Sequence, residues 1–300
     1  MKVFMTGGSG FVGSYLSREL ARQGYEITIL TRKETPPKAE DPRIGFLTGD
    51  PTREGPWMAA VPEHDWIINL AGASIFARWS DAYKKELHDS RILITRNLVT
   101  ALEKGDRRQL LCSTSAVGYY GSRGDEELTE ESPPGDDFLA RLCLDWEAEA
   151  LKARDLGIRV VITRFGIVLG KGGGALQQMA RAFRMFVGGR LGSGSQWFSW
   201  MHQEDHARAF LFVKDHPEIV GPVDFTAPNP VRNLELTRAL GRVLGRPTFM
   251  PAPAFMVRLV LGELGEVFLS GQKVVPRKLL AAGFEFRYPL IDQALEDLLR

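Results

Sequence analysis

The chain has 300 residues, 44% of them hydrophobic and 25% charged, which is ordinary for a globular protein and excludes extended disorder as its main feature. Lysine and arginine number 38 against 37 acidic residues, so no strong overall field would recruit nucleic acid or an anionic membrane. No run approaches the ~18 apolar residues of a membrane span, and Cys112 and Cys143 form neither a disulfide framework nor a zinc motif. We expect a cytoplasmic protein that binds a small-molecule substrate. We expect no binding to a metal ion, a membrane or nucleic acid, and we leave open whether the chain forms a homodimer.

A glycine-rich turn follows the first apolar run. Apolar residues over 11–20 then recur with a period near 3.6, which indicates a strand, a turn and a helix. Gly8, Gly10 and Gly13 fit the spacing G-x-G-x-x-G, whereas Gly7, Gly10 and Gly13 fit G-x-x-G-x-x-G. Either arrangement lets a dinucleotide pyrophosphate approach the backbone and the N–H groups of the helix N-terminus.

Strand-like and helix-like segments alternate through the first half of the chain. Strands are predicted at 26–31, 44–47, 66–70, 109–113 and 159–164, and helices at 82–103 and 138–156. Apolar strands separated by helices predict an α/β fold with a doubly wound parallel (Rossmann) sheet. Glycines and prolines interrupt the pattern afterwards, which indicates a second, smaller domain for the substrate. We assign 1–166 and 206–228 to the Rossmann domain and 167–205 and 229–300 to the smaller one.

The end of the second predicted strand indicates which nicotinamide cofactor is bound. An acidic residue there accepts hydrogen bonds from the ribose and selects NAD, but this chain has Arg32 followed by Lys33. A guanidinium can pair with a 2′-phosphate through two bonds and stack on adenine. The sequence therefore predicts NADP(H), with a solvated strand end as the alternative interpretation of these two residues.

Several motifs carry a resemblance to a known superfamily. Those at 6–13 (TGGSGFVG), 69–72 (NLAG), 113–115 (STS) and 164–166 (RFG) resemble the extended short-chain dehydrogenases/reductases. More narrowly, the chain resembles the atypical "epimerase family" members at 68–73 (INLAGA), 89–92 (DSRI), 115–121 (SAVGYYG) and 145–147 (DWE). Residues 247–299 are similar to the small C-terminal domain of that family.

The resemblance implies which residues contact the cofactor. They are Gly7, Gly10, Phe11, Val12 and Gly13 at the pyrophosphate, Arg32 at the 2′-phosphate, Asp50 at the adenine edge, Leu70, Ala71 and Gly72 along the adenosine and ribose, and Phe165, Gly166 and Ile167 beside the nicotinamide. Arg91 stands where many extended members have a small polar residue. It is a candidate either to reach a phosphate or to pack.

The catalytic pair of the superfamily is missing. Typical members carry Tyr-x-x-x-Lys on the helix after the fifth strand, where the phenol is the general acid/base and the lysine lowers its pKa and binds the ribose. Aligned on Glu147, the tyrosine position holds Leu139 and the lysine position holds Cys143. Leucine has no proton to exchange, and a short cysteine of this kind is more typical of packing.

The loop after the fifth strand offers another proton donor. Tyr119 or Tyr120 could protonate a substrate oxygen that Ser113 or Ser115 binds, and the spacing leaves open which serine and which tyrosine do so. On this basis the sequence favours an NADP(H)-dependent oxidoreductase or epimerase acting on a small carbonyl or sugar-nucleotide-like substrate. The alternative is a non-catalytic NADP(H)-binding sensor or interaction protein.

Overall fold

The computed structural model describes residues 1–35, 41–105 and 108–300. Its strands are β1 (Lys2–Thr6), β2 (Glu26–Thr31), β3 (Ile44–Thr48), β4 (Trp66–Asn69), β5 (Leu110–Ala116), β6 (Glu127–Leu128), β7 (Arg159–Phe165), β8 (Ile167–Leu169), β9 (Trp197–Phe198), β10 (Trp200–His202), β11 (Gly221–Phe225), β12 (Val231–Arg232) and β13 (Lys273–Val274). Its helices are α1 (Phe11–Arg22), α2 (Asp81–Leu102), α3 (Phe138–Leu151), α4 (Gly174–Arg184), α5 (Gln203–Asp215), α6 (Asn233–Leu244), α7 (Ala254–Leu261), α8 (Leu264–Leu269), α9 (Arg277–Ala281) and α10 (Ile291–Leu299).

Seven parallel strands form the central sheet, in the order β11-β7-β5-β4-β1-β2-β3. Side chains alternate between its two faces: Val3 and Met5 join a cluster with α1 and α5, whereas Phe4 joins a cluster with α2 and α3. Both faces are buried, which explains why the strands are apolar throughout. The predicted doubly wound Rossmann sheet is confirmed. The strand order reverses between β1 and β4, the point where such sheets bind ligands at their carboxyl edge.

The predicted elements differ from the structure mainly at their ends. The fifth strand continues to Ala116, because it pairs with β7 as far as Phe165. The helix predicted over 138–156 ends as an α-helix at Leu151 and continues as a 3-10 helix to Leu156, before Gly157 at φ +80°. These ends depend on partners that are distant in sequence.

A second hydrophobic region lies beyond the sheet. It contains buried side chains of α4, α6 and α10, among them Leu176, Leu240 and Leu295. These three helices lie in the segments that the sequence assigns to the smaller domain. Leu279 and Phe284, however, pack in the cluster of the sheet with α1 and α5, so this stretch of the predicted smaller domain lies against the Rossmann core.

The two cysteines are both free and buried. Within the three described ranges, no three His, Cys, Asp or Glu side chains are grouped so that they could hold a metal ion. No helix of the described chain is long and apolar enough to cross a bilayer.

Candidate cofactor and active site

The glycine turn between β1 and α1 is held by close backbone contacts. Gly7 has φ +68°, and a Cβ there would lie 2.7 Å from the carbonyl carbon of Leu70, at the start of the predicted segment Leu70, Ala71 and Gly72. A Cβ on Gly13 would lie 2.3 Å from the Gly7 carbonyl oxygen. The backbone therefore requires glycine at both ends of the spacing G-x-x-G-x-x-G, one of the two spacings that the sequence left open.

The N-terminus of α1 is open to an anion. Its N-cap, Gly10, is exposed and has no side chain to cap the helix, and the first turn contains no acidic residue. Phe11 and Val12 follow at the first two helical positions, where backbone N–H groups have no partner within the helix. Free N–H groups and the positive end of the helix dipole suit a phosphate. The residues present therefore fit a dinucleotide pyrophosphate.

The far end of this cofactor site lies beyond β2. Arg32 follows the strand directly and is exposed. Burial alone would raise the pKa of Asp50, but hydrogen bonds from Thr52 and the charges of Arg32 and Arg53 hold it below its ordinary value. Asp50 thus stays ionised near neutral pH at the end of the site where the sequence predicts the adenosine.

A buried amide network connects the strands beneath the site. The Thr6 hydroxyl donates to Oδ1 of Asn69 (2.7 Å), while Nδ2 of Asn69 donates to Thr95 Oγ1 (3.0 Å) and Ser113 Oγ (3.2 Å). Ser113 is 1% exposed, so the structure places it inside the sheet. Sequence reasoning missed the roles of Asn69 and Thr95; a polar residue ending an apolar strand was the available signal.

A buried ion pair lies beside the end of β5. Glu147 on α3 and Arg164 on β7 form two bonds of 2.8 Å, one from Nε and one from a terminal nitrogen, and both side chains are almost fully buried. Burial opposes the charge of Arg164, but Glu147 outweighs it and raises the pKa of the guanidinium. Ser115 Oγ donates to Glu147 Oε1 at 2.7 Å. The hydroxyl proton of Ser115 is therefore donated to the Glu147 carboxylate. In the sequence, Glu147 serves only to align the positions of the missing catalytic pair.

Tyr120 is fully buried in the same network. Its hydroxyl donates to the carboxylate of Asp224 on β11 (2.8 Å to each oxygen) and accepts from Arg164 (2.9 Å). Burial and Asp224 raise the pKa of Tyr120, and burial together with Glu130 raises the pKa of Asp224 well above its ordinary value. This placement corrects the prediction of Tyr120 as a proton donor to substrate, because its hydroxyl is saturated in the core.

Tyr119 has the opposite surroundings. Its ring is half-buried and lies over the Arg164 guanidinium, whose carbon is 3.4 Å from the ring centroid. Its hydroxyl makes no hydrogen bond to any residue that the structure describes. Of the four hydroxyls predicted for catalysis, Tyr119 is the one that the described chain leaves without a partner.

The two positions of the missing catalytic pair are used for packing. A Cβ on Gly118 would lie 3.4 Å from Leu139 Cβ, so Leu139 supports the tyrosine loop. Burial raises the pKa of the Cys143 thiol to about 11, so it stays protonated near neutral pH. Leu139 has no proton to exchange, and the Cys143 thiol is buried with its sulfur 3.8 Å from the Ala116 carbonyl oxygen.

The segment after β7 was predicted to flank the nicotinamide. The Phe165 ring packs among buried aromatic rings, 4.2 Å from the ring centroid of His206. A Cβ on Gly166 would lie 2.8 Å from the Ser199 carbonyl oxygen. Ile167, at 36% exposed, is the most open side chain of the three. The turn therefore presents Ile167 at the carboxyl edge of the sheet.

Arg91 lies beneath the segment that follows β4. Its Cζ would be 3.2 Å from a Cβ on Gly72, and it donates to the carbonyl oxygens of Ala73 (3.0 Å) and Leu87 (2.9 Å). The guanidinium carbon is 5.2 Å from the Trp146 ring centroid. Burial lowers the pKa of Arg91. Arg91 thus packs beneath this segment and faces the region predicted for the ribose.

Comparison with protein-family models covers most of the chain. Residues 3–225 match the NAD dependent epimerase/dehydratase family, and residues 252–298 match a domain of unknown function, DUF1731. An epimerase family protein of Staphylococcus haemolyticus is 41% identical, over 100% of this chain and 99% of that protein. A chloroplastic homolog of epimerase family protein SDR39U1 from Arabidopsis thaliana is 40% identical, over 100% of this chain and 87% of that protein.

Solved structures agree. Human epimerase family protein SDR39U1, in a structure with NADPH, superposes with a TM-score of 0.87 at 33% identity and covers 99% of each chain. A nucleoside-diphosphate sugar epimerase from Corynebacterium glutamicum gives a TM-score of 0.81 at 33% identity, over 100% of this chain and 58% of that one. The resemblance inferred from the motifs is confirmed, and this chain belongs to the NAD dependent epimerase/dehydratase family, with a C-terminal DUF1731 domain.

Proposed function

We propose that this protein is an NADP(H)-dependent oxidoreductase or epimerase that acts on a small carbonyl or sugar-nucleotide-like substrate. The observation that carries the proposal is the uncapped N-terminus of α1 above the Gly7–Gly13 turn, with the exposed Arg32 at the end of β2. Together they suit a dinucleotide with a 2′-phosphate. The NADPH in the human relative supports the same cofactor.

A nicotinamide cofactor supplies or accepts a hydride, so the protein has to orient the substrate oxygen and move one proton. We assign that proton to the Tyr119 hydroxyl, which has no partner among the described residues. Arg164 fixes the ring of Tyr119 from below, and Glu147 fixes Arg164. Ser115 and Tyr120 then hold the loop in place through the same network.

A non-catalytic sensor is the second candidate, and a specific observation favours it. Leu139 and Cys143 occupy the positions of the usual acid/base pair, and Ser113, Ser115 and Tyr120 are buried with their hydroxyls engaged. A site of this kind could bind cofactor and change a surface without turnover. The two candidates share the cofactor site and differ in whether Tyr119 transfers a proton.

The cofactor is tested by calorimetric titration with NADPH and NADH. Wild-type protein should bind NADPH more tightly, and Arg32→Ala should weaken NADPH binding by about tenfold or more, since a charge-assisted contact is lost, while NADH affinity stays the same. Arg22→Ala, which removes an exposed arginine at the other end of α1, is the control and should change neither affinity. Equal wild-type affinities for the two cofactors would contradict the assignment of Arg32.

Turnover is tested in two ways: NADPH absorbance is followed with a panel of aldehydes and ketones, and nucleotide sugars incubated with NADP⁺ are analysed for epimerised products, because epimerisation leaves the cofactor with no net change. Oxidation of NADPH or epimerisation with any of them supports the enzyme. Tight NADPH binding without oxidation or epimerisation across the panel supports the sensor.

We also propose a cytoplasmic location, because the two cysteines are both free thiols, as is usual in a reducing compartment.

A further inference from the structure

Two half-buried arginines differ in how well their guanidinium groups are satisfied. Arg159 donates to the carbonyl oxygens of four residues at the end of α5 and beyond it, Val213, Lys214, His216 and Ile219. Arg91 donates to two carbonyl oxygens only, those of Ala73 and Leu87, within the described ranges. A guanidinium has five N–H groups. The bonds of Arg159 use four of its five N–H groups, whereas those of Arg91 use two.

The charge of Arg91 is also uncompensated. Asp89, two residues before Arg91 on α2, pairs with Lys85. Asp145, on the neighbouring helix α3, pairs with His88. No described carboxylate lies within ion-pair distance of Arg91. Because desolvating a cation without a counter-charge is costly, an oxygen-rich ligand would stabilise this group.

The position of Arg91 indicates which ligand that is. The guanidinium lies beneath Gly72, just beyond the carboxyl end of β4 and beside the strand-order reversal where a dinucleotide crosses the sheet. It also lies against α3: its guanidinium carbon is 5.2 Å from the ring centroid of Trp146, which is on the same helix as Cys143 and three residues after it. A lysine at position 143 would place a second cation next to Arg91. Because two neighbouring cations repel each other in a half-buried site, this site can hold one cation, either on α2 or on α3.

We infer that Arg91 is the cation that replaces the lysine missing at Cys143, and that its unused N–H groups bind hydroxyl oxygens of the nicotinamide ribose. The inference rests on the proposed NADP(H) site. In this role Arg91 orients the nicotinamide half of the cofactor, while Arg32 holds the 2′-phosphate at the other end. The two arginines therefore recognise separate halves of one ligand.

Two ligands separate these halves: NADPH, and adenosine 2′,5′-bisphosphate, which lacks the nicotinamide nucleoside and the phosphate attached to it. Arg91→Met, which keeps an apolar stem beneath Gly72, should weaken NADPH binding about tenfold or more and leave the bisphosphate affinity unchanged. Arg32→Ala should weaken both ligands. Adding Cys143→Lys to Arg91→Met should recover most of the NADPH affinity, because it returns one cation to the site.

Melting temperatures of the free proteins show whether each variant is folded. If Arg91→Met is unstable, Arg91→Gln, which can still donate to the Ala73 carbonyl, takes its place in the same titrations. Unchanged NADPH affinity in the folded variant would overturn the inference and leave the NADP(H) proposal standing. Equal losses for NADPH and the bisphosphate would overturn it too, since Arg91 would then act on the adenosine half. Wild-type protein that binds neither ligand would refute the proposed function itself.

Discussion

We predict that the buried ion pair between Glu147 and Arg164 is needed for the stability of the fold. Replacing Glu147 with leucine would leave Arg164, which is 2% exposed, without its carboxylate and leave the Ser115 hydroxyl without an acceptor. Removing one partner of a buried ion pair costs about 3–5 kcal/mol, because the remaining charge is uncompensated. Glu147→Leu should therefore lower the free energy of unfolding by that amount.

This loss of unfolding free energy corresponds to a decrease in melting temperature. Unfolding entropy is about 2.1 cal/mol/K per residue, so for 300 residues a loss of 3–5 kcal/mol corresponds to a decrease of about 5–8 °C. The assay is thermal unfolding followed by circular dichroism or calorimetry. The control is Arg242→Met, which breaks an ion pair whose side chains are 61% and 52% exposed. Such a pair is worth about 0–1 kcal/mol, so the control should shift the melting temperature by less than about 2 °C.

A double variant tests the cause of the loss. Glu147→Leu combined with Arg164→Met removes both charges, and its melting temperature should lie above that expected from adding the two single effects. A Glu147→Leu protein that melts within about 2 °C of wild type would refute the reasoning. So would a double variant whose loss is the sum of the two single losses, since the penalty would not come from an unpaired charge.

Two further predictions concern the same network. Tyr119→Phe should lower any detected NADPH-dependent turnover by ~10²-fold with cofactor affinity unchanged, whereas Tyr120→Phe should mainly lower the melting temperature, because Asp224 and Arg164 lose a buried partner; equal kinetics for wild type and Tyr119→Phe would contradict the assigned proton donor. The raised pKa of Asp224 means that its contribution to stability is present at low pH and is lost as pH rises from the ordinary aspartate value of about 4 through the folded-state pKa. Asp224→Asn, which stays neutral, should therefore match wild type in melting temperature near pH 4 and exceed it increasingly toward neutral pH; a pH-independent difference would contradict the shift.

Local patterns in the sequence were sufficient for the architecture. Apolar runs separated by helical periodicity predicted the parallel sheet, and the glycine spacing predicted the turn before α1, because both signals depend on residues close together in the chain. The end of β5 was predicted too early, since its last residues are ordered by pairing with β7. Pairing between distant strands leaves little trace in a local pattern.

The cofactor half of the candidate site followed from sequence in the same way, because the glycine turn and Arg32 each lie at the end of a predicted strand. The catalytic half did not. Tyr119 and Tyr120 are neighbours with the same side chain, and nothing local distinguishes them. Asp224, a hundred residues later in the chain, engages one hydroxyl, and Arg164 supports the ring of the other. The sequence by itself determined the family, the sheet and the glycine turn. Only the tertiary structure decided which tyrosine hydroxyl is open, and that Arg91 has no carboxylate at ion-pair distance among the described residues, because burial and partners across strands and helices set both.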